Sequence, residues 1–371
     1  MRSANEIDFW RGLALVSIFI NHVPGFAFER LTHRNYGLSD SAELFVFLAG
    51  WALRRVASDA DQPLGLVRLV LRFGARAVTL YAAQILITAV ALGLIAATAI
   101  RLENPLLLEW HNAAAVFHDP VPAHVGLVLL THQLGYFDIL PLYVVLMFGA
   151  VGLAAVHRIA PAALLPLSLA TYAVALTFEV NLPTWPVDGV WFFNPFAWQL
   201  IFVLGFELAG SDRAGGLARR SLGWIRPVAA LAVAAGAAIV LSDYEPDPTR
   251  VPEPKLFFVF DKTYLSPARL LHFLALAGTF AGSFRFVLRF ARPLARFLSM
   301  LGRNSLNVFC VGSLLSLSGQ LARVSLESGL RVDAAVLVLG VAALGFTAWV
   351  SELRDRVRHS PPPSSSASRS R

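Results

Sequence analysis

The feature that most constrains this chain is a series of apolar stretches, each long enough to cross the hydrocarbon core of a bilayer. They fall at 9–28, 38–54, 77–100, 136–156, 160–180, 194–209, 226–242, 264–283, 302–322 and 332–350. The second and sixth are short and carry polar residues. Hydrophobic residues make up 56% of the 371 and charged ones only 15%, where a soluble domain has about a quarter charged. Water would not tolerate so much apolar surface; lipid would. The expected fold is an all-α polytopic membrane protein of about ten transmembrane helices.

Positive charge sets the expected orientation. With the N-terminus cytoplasmic, 22 of the 31 basic residues fall in segments on the cytoplasmic side, and moving the count by one helix destroys that asymmetry. Both termini are therefore expected in the cytoplasm. Only Lys255 and Lys262 are lysines; the other basic residues are arginines. These residues lie in short clusters between apolar runs, so the basic pI near 10.1 reads as topology and no nucleic-acid partner is expected. The stretch 9–28 carries Arg11 and His22 and is followed by no small-x-small cleavage site, so it reads as the first span and not a signal peptide. Cys310 is the single cysteine, which excludes a disulfide within the chain.

The chain divides into a membrane domain, 1–352, and a tail, 353–371, ending in SPPPSSSASRSR and expected to be disordered in the cytoplasm. The larger outer segments are 101–135 and the proline-rich acidic loop at 243–263. No internal repeat is visible, which weighs against a transporter built from inverted repeats.

Ionisable groups at membrane depth need partners, water or a function. Arg11 and His22 lie eleven residues apart, about three full turns, so they share one face of the first helix about 16 Å apart along its axis. Arg11 is placed near the cytoplasmic rim and His22 toward the outer face. The second helix enters as SDSAELFVFLAGW, with Ser39 or Asp40 as N-cap and Glu43 one turn deeper on the face of Asp40. His22 and Glu43 are expected at similar depth. A carboxylate there either orients the imidazole and raises its basicity or only bridges two helices.

Other polar residues group by level. Asp138, Asn194, Gln199, Arg269 and His272 belong to the outer half. Arg303, Asn304 and Asn307 of LGRNSLN belong to the inner half, near Arg11. Two arginines at a helix N-terminus suit a phosphate or headgroup, and Arg303 equally suits a topology anchor. His111, His118, His124 and His132 lie in an outer loop at spacings that match no ligand pattern, so no metal is expected. Trp185, Trp191 and Trp198 read as interfacial aromatics, with sugar stacking as the other reading.

DFWRGLALVSIFINHVPG followed by RNYGLSDSAELFVFLAG resembles the OpgC family of membrane succinyltransferases, which modify osmoregulated periplasmic glucans. The Arg11–His22 spacing is similar to the first helix of the wider acyltransferase-3 superfamily. FDILPLY, NPFAWQLIFVLG and LGRNSLNVF extend the resemblance over most of residues 5 to 320. It implies a multi-pass enzyme of the bacterial inner membrane. The donor would be a cytoplasmic acyl-CoA, with succinyl-CoA the first choice, and the acceptor a hydroxyl of a periplasmic glucan or related glycan. His22 would be the catalytic base, partnered by Glu43 or Asp40, and Arg11 the contact for the CoA end, with Arg303 and Asn304 beside it. Asp138, Asn194, Gln199, Arg269 and His272 are the candidates for the acceptor side, and Arg269 or Lys262 for a second acyl carboxylate. Direct transfer and an acyl-histidine intermediate both remain open, as does a homo-oligomer. The rivals are an exporter of an acidic metabolite or glycolipid, and a catalytically inert subunit of an envelope-glycan complex.

Overall fold

The computed structural model describes residues 3–58, 65–210 and 213–359. Among the described residues there is no strand, only an isolated bridge between Pro183 and Val190. Fourteen α-helices follow in order: α1 (Glu6–Asn21), α2 (Ser41–Ser58), α3 (Leu66–Arg101), α4 (Ala114–His118), α5 (Pro120–Leu129), α6 (Ile139–Ile159), α7 (Leu164–Thr177), α8 (Pro195–Ala209), α9 (Arg213–Leu241), α10 (Pro267–Phe280), α11 (Phe284–Phe290), α12 (Arg292–Arg303), α13 (Ser305–Ser325) and α14 (Leu330–His359).

Among the described residues, five helical stretches are long and apolar enough to cross a membrane: Val67–Arg101, Ile139–Ile159, Gly215–Leu241, Ser305–Ser325 and Leu330–Arg358. A sixth is added if α10 and α11, bent by 50° at their junction, make one broken span. Large apolar side chains on these helices stay exposed, among them Leu71, Leu86, Leu231, Leu339 and Phe346. Apolar surface of that kind, on helices of this length, is what a membrane protein presents.

Four of the ten expected stretches form shorter helices. α1 has 16 residues, α7 14 and α8 15. At about 1.5 Å per residue, helices of 14–16 residues fall short of a core about 30 Å thick. α2, with 18 residues, is also outside the five. α1 stops at Asn21 because the chain turns through Pro24 and Gly25, the latter at φ 67°. The segment at 101–135, expected outside, holds α4 and α5, with Pro120 starting α5 where a missing N–H costs nothing. α14 continues to His359, past the expected domain boundary at 352; the remainder of the tail lies outside the described residues.

The shorter helices form the centre. α1 packs along α12 and α2 along α8, with α3 against α6 and α9 against α10. Glycine permits the two central contacts. A Cβ on Gly12 would lie 1.9 Å from the Leu298 carbonyl oxygen, and one on Gly205 would lie 2.1 Å from that of Phe47. Backbones this close are typical of small-residue helix contacts in membranes.

Candidate active site

α1 delivers His22 to its own end. His22 is the C-cap residue, its N–H donating to Ile18 O at 3.0 Å. Its ring lines a cavity of about 850 Å³ together with Arg34, Asp40, Tyr136, Asp138, Lys262 and Arg269. Nδ1 is buried without a hydrogen-bond partner. The Tyr136 ring packs 4.7 Å from the imidazole, centroid to centroid.

α2 starts at the same cavity through a reciprocal cap. Asp40 Oδ1 accepts from the Ala42 N–H at 2.8 Å, and Glu43 Oε2 accepts from the Asp40 N–H at 2.9 Å. Two of the unpaired donors at the helix start are thereby satisfied. The remaining carboxylate oxygens face cations brought from far along the chain. Arg269 on α10 donates through Nε and Nη2 to Glu43 Oε1, at 3.0 and 2.6 Å. Lys262 Nζ donates to Asp40 Oδ2 at 2.6 Å, and Arg269 Nη2 lies 3.5 Å from the same oxygen. Lys262 also sits over the rings of Phe192 and Phe193, 5.8 and 5.6 Å from their centroids. Two carboxylates and two cations thus close a charge-balanced group.

The expected pairing of His22 with Glu43 does not form. Glu43 is fully buried and both its oxygens are engaged, one by a guanidinium and one by its own helix cap. A permanent cation outcompetes a neutral imidazole for a buried carboxylate, because the charge-assisted bond is stronger and leaves no charge uncompensated. The charged or titratable groups that act on His22 are Lys262, Asp40, Arg34 and His111.

Of the five residues expected on the acceptor side, Asp138 and Arg269 line the cavity and three do not. Asn194 is fully buried as the N-cap of α8, accepting from Phe196 N at 2.9 Å and donating to Val180 O at 2.7 Å. Gln199 ties α8 to α7, accepting from the Ser168 hydroxyl at 2.6 Å. His272 Nδ1 is 2.8 Å from Ser39 Oγ, and its ring fills the space left by Gly37 and Gly236. These three hold helices and caps together.

A second cavity, about 470 Å³, lies at the Arg11 end of α1. Arg11, Arg72, Arg76, Tyr143 and Ser305 line it, and Arg11 Nη2 donates to Leu48 O at 2.9 Å. Arg303 and Asn304, expected beside Arg11, do not line this cavity. Arg303 is bound to Glu352 Oε1 at 2.9 and 2.6 Å, and Asn304 donates to Met300 O. Glu352 lies on α14, whose approach to α12 takes Arg303 away from the cavity. Arg72 and Arg76 lie four residues apart on one face of α3, a spacing visible in the sequence. Phe309 lines both cavities and stacks on Phe45 with centroids 5.9 Å apart, so an aromatic wall separates them.

The loop histidines are spread. His118 lies 3.3 Å from Glu109, and His124 Nδ1 donates to Pro120 O at 2.6 Å. His111 Nε2 lies 2.7 Å from Gln320 Oε1, and the other end of that amide donates to the His22 carbonyl oxygen. Burial lowers the His111 pKa from its ordinary value, with the Gln320 hydrogen bond opposing. Among the described residues no three His, Cys, Asp or Glu side chains gather closely enough for a metal ion.

Chemically, the larger cavity offers an unpartnered imidazole beside paired charges, and the smaller offers three guanidinium groups. The family model described as OpgC protein matches residues 3–356. No curated protein and no solved structure matches the chain.

Proposed function

The chain belongs to the OpgC family, and from that premise we propose that it is a membrane O-acyltransferase moving an acyl group from cytoplasmic acyl-CoA to a periplasmic glycan hydroxyl. The observation that carries this reading is the placement of Arg11 and His22. One helix puts them in two cavities that share only an aromatic wall at Phe309. A donor on one side and an acceptor on the other need that arrangement.

In this reading Arg11, Arg72 and Arg76 hold the phosphates of the donor, and its thioester passes Phe309 toward His22. His22 takes the proton of the acceptor hydroxyl as the oxygen attacks the thioester carbonyl. The C–O bond forms, the C–S bond breaks, and the thiolate leaves toward the arginine side. An acyl group bearing a far carboxylate meets Lys262, which has one carboxylate partner where Arg269 has two. The acyl group is then succinyl and the acceptor a periplasmic glucan. Ten passes, with both ends in the cytoplasm of the bacterial inner membrane, put the donor cavity inside. With α10 and α11 as one broken span, the shorter helices α1, α2, α7 and α8, packed among the longer ones, bring the count to ten.

The test is mass spectrometry of periplasmic glycans from cells lacking the gene, complemented by wild type or by His22→Ala at equal expression. The expected result is a mass increment restored by wild type alone. Restoration by His22→Ala would overturn the base assignment. Unchanged glycans alongside export of an acidic solute would favour the transporter.

A further inference from the structure

We propose that Gln320 and His111 are positioning residues for His22, acting through its backbone and through Tyr136; the role rests on His22 being the catalytic base. The last carbonyls of a helix have no partner within it. At the end of α1 the His22 carbonyl is taken by the side-chain amide of Gln320 on α13. The oxygen of the same amide accepts from His111 Nε2 at 2.7 Å. Both ends of the amide are used, so it cannot flip without losing both bonds.

A second path from the same loop reaches the ring. His111 packs edge-on against Tyr136 at 5.2 Å, and Tyr136 packs on His22 at 4.7 Å. His111, Asn112 and Tyr136 sit at φ 56°, 63° and 66°, a region non-glycine residues seldom occupy unless surrounding structure holds them there. The Gly135 N–H donates to the His111 carbonyl at 2.8 Å and ties the two segments together. Beyond His22 the turn is held as well. Arg323 donates to the carbonyls of Pro24 and Gly25, and Asp333 accepts from the Ala27 N–H at 2.9 Å. Neither Gln320 nor His111 lines the cavity, so neither is placed to touch substrate. Their contacts converge on His22, whose Nδ1 is buried without a hydrogen-bond partner.

The experiment uses the full chain in nanodiscs, as wild type, Gln320→Leu, His111→Leu and His111→Gln. Steady-state transfer is measured, together with the rate at which diethyl pyrocarbonate modifies His22, read by peptide mass spectrometry. The leucine variants are expected to lose about 10- to 100-fold in kcat with donor KM unchanged, because a small misplacement of a reacting group is enough for that. His111→Gln, which keeps a donor near the position of Nε2, is expected to restore kcat. The modification rate of His22 should change in the leucine variants and return in His111→Gln. Wild-type kcat and an unchanged modification rate in the leucine variants would overturn the proposal. If wild type transfers nothing, the functional reading fails, while the modification rates still decide the positioning. Should Gln320→Leu not accumulate, the two His111 variants carry the same comparison.

Discussion

Arg269 and Glu43 meet across the cavity from positions 226 residues apart in the chain: two guanidinium nitrogens converge on one carboxylate oxygen, at 3.0 and 2.6 Å. The pair joins α10 to the start of α2, and Glu43 is completely buried. Geometry of this kind contributes more to specifying an arrangement than to net stability, since burying both charges offsets much of their attraction.

Glu43→Ala should therefore destabilise the protein by about 3 kcal/mol, because it strips Arg269 of its main partner. Replacing both residues with apolar ones of similar size should recover most of that loss. Thermal unfolding in detergent micelles checks both, and a double variant no more stable than either single one would contradict the account.

Arg72→Gln and Arg76→Gln are expected to raise the donor KM with a smaller effect on kcat, since each removes a charge from the smaller cavity. Arg303→Gln should leave donor KM unaltered, its guanidinium being committed to Glu352. Donor titrations at saturating acceptor separate the two sets. A donor defect confined to Arg303→Gln would restore the reading made from sequence alone.

Gly205→Ala places a methyl against the Phe47 carbonyl oxygen, 2.1 Å from the ideal Cβ position. Forcing α2 and α8 apart should cost about 1–3 kcal/mol. Gly149→Ala on α6 is the control: nothing lies within 4 Å of its Cβ position, and removing a helical glycine should be neutral or stabilising by up to about 1 kcal/mol. Equal thermal midpoints for the two variants would argue against the close contact.

Burial lowers the His111 pKa from its ordinary value of 6.5, so the folded protein keeps this side chain neutral where the unfolded chain would protonate it. The stability it contributes is fully present above pH 6.5 and is lost as pH falls through the lower folded value. Between pH 7.5 and 5 the thermal midpoint of wild type should fall further than that of His111→Gln. Parallel falls would remove His111 as the titrating group.

The polar stripe on α1 was legible because it is a property of one helix. Arg11 and His22 share a face by turn counting, and the structure keeps them on one element with a cavity at each end. The cap at the start of α2 was legible for the same reason, Asp40 and Glu43 being three residues apart. Arg72 and Arg76 count toward topology in the sequence, and only the structure shows that they also line a cavity with Arg11. His111 reads in the sequence as an ordinary loop histidine; nothing local announces that its loop folds back onto the end of α1.

What the sequence determined alone is the all-helical class, the apolar character of the long helices, and which polar residues share one face of a helix. These follow from hydropathy and a fixed rise per residue. Only the tertiary structure decided which residues at a common level meet. Glu43 pairs with Arg269 and not His22, Arg303 with Glu352, and Gln320 with the carbonyl that ends α1. Depth is one coordinate, read along a helix. Contact also needs the rotation of each helix about its axis and the identity of its neighbour. Those come from backbone contacts such as Gly12 on Leu298 and from loops that return residues distant in sequence.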